Sequence, residues 1–219
     1  MLYLFDIDGT LVDTGGAGMQ SLNEATLSIF GEGGPQLDLA GATDLGIIHG
    51  LHQHFEIDAT PDRIDAYFTY YHERLEWNLA HGTFEGCLID GVSELLQALS
   101  QRDQCGIGLL TGNTADGAKV KVTHYGVANY FAFGAYGSDH QDRNQLGPIA
   151  LKRAQEHLGR EFDAKDTWVI GDTPKDIACA HAMGARCLAV ATGSFTADQL
   201  TDFGADKVTE SLAEAIDWI

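Results

Sequence analysis

The run Leu2-Tyr3-Leu4-Phe5-Asp6-Ile7-Asp8-Gly9 constrains what the rest of the chain can build. Its apolar positions, Leu2 to Phe5 and Ile7, read as a buried strand closed by Gly9. Asp6 and Asp8 stand at the carboxyl end of that strand. An extended backbone puts residues two apart on one side, and Gly9 lets the chain bend just beyond them. Strand ends of this kind are where open α/β sheets place their ligands. Two carboxylates held together with no adjacent Lys or Arg require a cation, and oxygen-only ligation favours Mg²⁺. The plainer alternative is a pair of solvated turn acids ahead of a glycine.

The chain divides in two by pattern. Gly15-Gly16-Ala17-Gly18 reads as a hinge. Beyond it, Met19, Leu22, Thr26, Ile29 and Phe30 recur at helical spacing. Thr43 or Asp44 caps a second helix carrying Leu45, Ile48 and Leu51. Thr60 and Pro61 open a third, whose stripe is Ile64, Phe68, Tyr71, Leu75 and Leu79. No strand pattern occurs between about residues 15 and 82, which predicts an all-helical insert ending at the hinge-like Gly82. His49, His52 and His54 within it are assigned to a solvated helix face, because no Cys or third convergent ligand accompanies them. From residue 83 onward, helices alternate with strands expected at Ile107–Leu110, Tyr130–Phe133, Thr167–Ile170, Arg186–Val190 and Lys207–Val208. Alternation of this kind predicts a parallel sheet covered on both faces. The fold class is therefore α/β, a Rossmann-like core domain of residues 1–14 and 83–219 interrupted by a helical domain of residues 15–82.

Two more stretches put polar groups at strand ends. Thr111-Gly112-Asn113 offers a hydroxyl, backbone N–H groups and an amide ahead of a helix beginning near Thr114, as a phosphate cradle does. A turn with a helix cap is the plainer reading. In Gly171-Asp172-Thr173-Pro174-Lys175-Asp176, Pro174 at a helix start leaves Asp172 in the loop and Asp176 in the first turn, pointing back toward Asp172. Either acid could simply cap the helix. That reading leaves unexplained why the first strand end also carries two acids.

The chain carries 32 acidic against 13 basic residues, a formal charge of −19. Such a surface repels phosphate backbones and anionic membranes, which argues against nucleic-acid and membrane partners. An anionic substrate would then need local positive charge from a metal or a few chosen basic residues. Cys87, Cys105, Cys179 and Cys187 lack CxxC spacing and read as reduced, mostly buried thiols. No apolar run approaches the roughly 20 residues of a membrane span, and the chain starts directly on a strand. The expectation is a cytoplasmic protein, monomeric or homodimeric.

Asp6-Ile7-Asp8-Gly9-Thr10-Leu11-Val12-Asp13-Thr14 resembles the DxDGTLVD(S/T) signature of haloacid-dehalogenase-superfamily phosphatases. Thr111 resembles the second motif of that family, and Gly171–Asp176 its GDxxxD motif. With the helical insert after the first motif, the whole chain is similar to phosphoglycolate phosphatases. The resemblance implies a Mg²⁺-dependent phosphatase acting on a small phosphorylated metabolite. Asp6 would attack phosphorus to form an aspartyl-phosphate, and Asp8 would serve as general acid and base. Thr111, Gly112 and Asn113 would hold phosphate oxygens. Asp6, the Asp8 carbonyl and Asp172 would bind the metal, with Asp176 as a further ligand or holding a water. The family's third motif is a cation, commonly in a Lys-Pro pair that this chain lacks. Arg143, just ahead of the Pro148 helix, is assigned that place, on the phosphate oxygens with Thr111, over Lys152, which lies inside the helix and faces solvent. The alternatives are a sugar-phosphate mutase of the same superfamily and a non-enzymatic Mg²⁺-binding phospho-acceptor domain. Asp8 argues against a true dehalogenase, and the absence of Lys between residues 15 and 82 argues against a phosphonatase.

Overall fold

The computed structural model of the protein describes residues 1–36 and 39–216. In chain order, β1 (Leu2–Phe5) and the short β2 (Val12–Asp13) lead into α1 (Ala17–Phe30), α2 (Asp44–His54) and α3 (Pro61–His81). Then follow β3 (Cys87–Leu88), α4 (Val92–Ser100), β4 (Gly106–Thr111), α5 (Ala115–His124), β5 (Gly134–Tyr136) and α6 (Leu146–Leu158). The chain finishes with β6 (Thr167–Gly171), α7 (Pro174–Ala182), β7 (Arg186–Val190), α8 (Ala197–Asp202), β8 (Lys207–Thr209) and α9 (Leu212–Ala215). Six strands form one parallel sheet in the order β5-β4-β1-β6-β7-β8.

The apolar run of β1 has its cause in this order. Leu2 and Leu4 bury into one core layer with Leu146, Ala150, Val169 and Ile177. Tyr3 and Phe5 bury into the opposite layer with Leu95, Leu99, Val122 and Ile170. A strand covered by helices on both faces has no polar side to show, so its sequence does not alternate. β1 pairs with β4 and β6 at once, Leu2 lying across Gly106 on one side and Thr167 on the other. The carboxyl ends of β4, β1 and β6 therefore stand side by side.

Helices α1 to α3 bury Ala25, Ile48, Leu51, Tyr67, Tyr71 and Leu75 in a cluster of their own. The face of α1 differs from the expected stripe: its buried residues are Ala17, Ser21, Ala25 and Thr26, while Met19 is 49% exposed. Small side chains let α1 approach α3 closely. The buried hydroxyls of Ser21 and Thr26 are satisfied by donating to the carbonyls of Ala17 (2.7 Å) and Leu22 (2.8 Å). His52 is likewise not on a solvated face. It is buried with its ring edge-on to Phe30, its Nδ1 3.1 Å from the Ile57 carbonyl, and burial lowers its pKa.

Two further differences concern the core. The strand expected at Tyr130–Phe133 lies at Gly134–Tyr136, and Ala128–Tyr130 is a 3₁₀ turn. Phe131 and Phe133 are apolar because they tuck under the sheet edge, Phe131 edge-on to Phe5 at 6.1 Å and Phe133 against Gly108. A short antiparallel ribbon, β2 with β3, pairs Val12 with Leu88 and Asp13 with Cys87. Neither strand, at two residues, carries a periodic signal. Among the described residues no helix is long and apolar enough to cross a membrane.

Candidate active site

Just past β1, the N–H groups of Thr10, Leu11 and Val12 all turn back to the Ile7 carbonyl, at 3.2, 2.8 and 2.9 Å. This tight loop requires positive φ at Gly9, where φ is +76° and a Cβ would collide with the Asp172 carboxylate. The loop leaves Asp6 buried at the end of β1, while Asp8 keeps 46% of its side chain exposed. Thr10 donates its hydroxyl to Asp172 Oδ1 at 3.1 Å. A Cβ on Gly193, after β7, would also collide with Asp172. The backbone has thus closed around this carboxylate from two sides.

Asp176 sits in the first turn of α7 within a capping box. Thr173 donates to its Oδ2 from the backbone N (3.1 Å) and the hydroxyl (2.7 Å). Its Oδ1 receives Arg143 Nη2 at 2.5 Å. Asp6, Asp172 and Asp176 each offer a carboxylate oxygen within 4.8 Å of the others, and all three are buried. Burial is the main cause that pushes Asp6 up to about 6, with Asp176 adding to it and Arg143 opposing. Burial, then Asp176 and Asp6, pushes Asp172 up to about 8. Carboxylates driven toward protonation by one another want a cation between them.

Arg143, in the 3₁₀ turn Arg143–Gln145, is buried at 6% exposure. Its Nη2 also lies 3.2 Å from Asp6 Oδ2, and its Nη1 donates to the Gly41 carbonyl at 3.1 Å. The ion pairs with Asp176 and Asp6 raise its pKa against the opposing effect of burial. Lys152 is 76% exposed and lies 3.8 Å from Glu156. Of the two sequence candidates for the third-motif cation, Arg143 touches the acids and Lys152 does not.

Thr111 is fully buried at the end of β4, where its hydroxyl bonds Asp6. Its Oγ1 also accepts from Asn113 N (3.3 Å) and Asn113 Nδ2 (2.9 Å). The plainer expectation, a turn followed by a helix cap, is therefore present in the structure: Thr114 caps α5 by accepting from Gly117 N at 3.1 Å. The same turn faces the site, because Asn113 Nδ2 donates to Asp8 Oδ2 at 2.7 Å. Gly112 offers its carbonyl to Asp44 N at 2.7 Å.

The expectation that the first two acids have no cation beside them is corrected here. Lys121 of α5, 4% exposed, donates to Asp8 Oδ1 (2.7 Å), Asp8 Oδ2 (2.6 Å) and Asn113 Oδ1 (2.7 Å). Its sequence signal was its place on the buried face of α5, beside Gly117, Ala118 and Val122. A lysine on an apolar face has a partner. Asp44, read from sequence only as a cap, is the other omission. Thr43 is the cap, accepting from Gly46 N at 3.1 Å. Asp44 instead reaches the core, where Oδ2 accepts from Thr114 N at 2.7 Å, and burial pushes it up to about 6. His72 Nε2 meets Thr114 Oγ1 at 2.6 Å, and Thr43 donates to the Gln141 carbonyl at 2.7 Å. These contacts seat the helical insert over the strand ends. Between the two lies a cavity of about 340 Å³ reached by Asp6, Asp8, Asn113, Lys121, Arg143 and Asp172.

Comparisons with known proteins agree with this geometry. Residues 3–190 match the family model of haloacid dehalogenase-like hydrolases. CbbY from Rhodobacter sphaeroides, solved with phosphate, superposes with a TM-score of 0.75 at 22% identity over 97% of this chain and 95% of that one. A predicted phosphatase from Clostridium acetobutylicum superposes at 0.69 and 22% identity, covering 99% and 96% of the two chains. A predicted phosphoglycolate phosphatase from Haemophilus somnus does so at 0.69 and 19%, covering 99% and 96%. At these identities the likeness is one of fold. No curated protein sequence matches the chain. The family match takes in the strand ends that carry Asp6, Thr111 and Asp172, so this chain belongs to the haloacid dehalogenase-like hydrolases and is an enzyme of that family.

Proposed function

We propose that the enzyme is a Mg²⁺-dependent phosphatase that hydrolyses a small phosphomonoester through an aspartyl-phosphate on Asp6. The observation that carries this reading is the place of Asp6. Its carboxylate is bonded by Thr111 and Arg143 and grouped with Asp172 and Asp176 at the floor of a cavity that Asp8 also lines.

The donor set fits a divalent metal. Fully ionised, as ligands to a cation, Asp6, Asp172 and Asp176 would carry three negative charges against the one positive charge of Arg143, a surplus of two. All the donors are oxygens, which suits Mg²⁺. Asp6, Asp172 and the Asp8 carbonyl would hold the ion. Both oxygens of Asp176 are already engaged by Thr173 and Arg143, so it has less capacity left for a direct bond. When bound, the ion lowers the repulsion between the Asp6 carboxylate and a phosphoryl group and aligns the displacement.

In the first half-reaction an oxygen of Asp6 bonds to phosphorus as the ester P–O bond breaks, and Asp8 gives its proton to the departing oxygen. In the second, Asp8 takes a proton from the attacking water, the Asp6–phosphorus bond breaks and phosphate leaves. Lys121 and the Asn113 amide hold Asp8 at the cavity wall. Arg143 Nη2 lies on Asp6 and Asp176, so it orients the nucleophile, and from the same place its guanidinium would meet the phosphate oxygens. The insert covers the cavity, where it excludes water and selects the substrate.

Hydrolysis of p-nitrophenyl phosphate with and without Mg²⁺ tests the reading, and an inactive protein with Mg²⁺ would end it. Asp8→Ala is expected to lose turnover on alkyl phosphates far more than on p-nitrophenyl phosphate, because a poor leaving group needs its proton. Equal losses on both would remove the acid–base role. Gly193→Ala is expected to raise the Mg²⁺ concentration needed for half-maximal activity, since its Cβ displaces the Asp172 carboxylate. An unchanged requirement would place the metal elsewhere.

A further inference from the structure

The wall of the cavity opposite the acids belongs to the insert, and its chemistry is one-sided. Met19, Leu22, Leu39, Ile47 and Tyr71 supply apolar surface, and among the described residues the charged group on this wall is Asp44. Among the described residues the basic side chains at the cavity are Lys121 and Arg143. An ammonium has three N–H donors, and those of Lys121 are taken by both oxygens of Asp8 and by Asn113 Oδ1. Arg143 is turned to Asp6, Asp176 and the Gly41 carbonyl. The two arginines of the insert, which has no lysine, are away from the cavity. Arg74 is paired with Glu24 at 2.5 Å and lies over Trp77, and Arg63 donates to the Asp58 carbonyl at 2.9 Å. His72 is engaged by the Thr114 hydroxyl at 2.6 Å, and burial pushes its pKa down.

An anionic group on the far end of a substrate would therefore face Asp44, and the cations that line the cavity among the described residues, Lys121 and Arg143, are already engaged by other acids. Buried unpaired charge beside like charge is strongly disfavoured. We propose that the substrate is a small phosphomonoester whose organic group is neutral or cationic, and that Asp44 with the apolar wall of the insert selects it against phosphates bearing a carboxylate. This rests on the phosphatase reading above and departs from phosphoglycolate, the substrate suggested by the resemblance. The phosphoryl group itself is received at the other end, by the metal and the strand-end groups.

A matched series of two-carbon phosphates isolates the charge: 2-phosphoglycolate, 2-hydroxyethyl phosphate and ethanolamine phosphate, with p-nitrophenyl phosphate as reference and Mg²⁺ present. The expected result is kcat/KM for the hydroxyethyl and ethanolamine esters roughly tenfold or more above phosphoglycolate. In Asp44→Asn the advantage of ethanolamine phosphate over phosphoglycolate should shrink by about tenfold. Leu22→Lys, which adds a cation to the same wall without touching the Asp44 contact, should raise phosphoglycolate relative to the other two. Turnover of p-nitrophenyl phosphate with phosphoglycolate equal to or better than both other esters would overturn the inference and leave the phosphatase reading intact. No turnover of any of the four would overturn both.

Discussion

Asp6→Asn is expected to remove turnover by at least about 10³-fold, the scale of losing a covalent nucleophile. An amide oxygen is too weak a nucleophile to open a phosphate ester, and it brings less charge to the metal. The variant should remain folded. Burial first, and then Asp176 and Asp8, push the pKa of Asp6 up, so neutralising it removes a costly buried charge while Arg143 keeps its contact with Asp176. Circular-dichroism melting should therefore stay close to wild type. Acid-quenched wild-type enzyme should carry a protein-bound phosphoryl group that Asp6→Asn lacks. If Asp6→Asn kept more than about one per cent of wild-type turnover, the covalent route would be wrong.

Arg143→Ala is the second large effect, and it reads on stability as well as rate. Removing one partner from a buried ion pair leaves the other charge uncompensated, which costs about 3–5 kcal/mol. Here Asp176 would lose its 2.5 Å partner and Asp6 its 3.2 Å partner, both in buried surroundings. Denaturant unfolding without metal should show that loss, and added Mg²⁺ should restore more stability to the variant than to wild type. Turnover should fall by roughly 10²–10³, as for loss of one preorganised donor. Arg143→Lys should recover part of both, because a point charge replaces a fork that reaches two carboxylates and the Gly41 carbonyl. Lys152→Ala should change neither, its charge being 76% exposed. A silent Arg143→Ala beside an impaired Lys152→Ala would reverse the assignment.

What the sequence made legible was whatever local physics decides. The unbroken apolar run Leu2–Phe5 marked a strand buried on both faces, and β1 lies at the middle of the sheet. The spacing from Asp172 through Pro174 to Asp176 described a loop and a first helical turn, which β6 and α7 supply. The position of Arg143 in a loop rather than a helix pointed to a side chain free to reach the sheet edge, and it lies there. What stayed hidden depends on partners far away in the chain. Lys121 meets Asp8 across 113 positions, and Asp44 meets Thr114 across 70. Neither pairing leaves a periodic trace. The Tyr130–Phe133 run was misplaced because apolar character reports burial, and residues under a sheet edge are buried as well as those within it. His52 was misread for the converse reason: a polar residue name says nothing of the Phe30 ring and Ile57 carbonyl that enclose it.

The ribbon of β2 and β3 bears on how such an enzyme can change its substrate over time. The chain leaves the core at Asp13 and returns at Cys87, and these two residues are cross-strand partners. Tyr125, just after α5, donates its hydroxyl to the Asp13 carbonyl at 3.2 Å and pins the junction to the core. Everything between is, from the sheet's side, one long loop whose ends are already joined, and loop-closure entropy grows only slowly with length. Helices can be lengthened, lost or exchanged there without altering the spacing of Asp6, Thr111 and Asp172. The catalytic floor and the selecting wall can then accumulate mutations at separate rates, through a single doorway two residues wide on each strand.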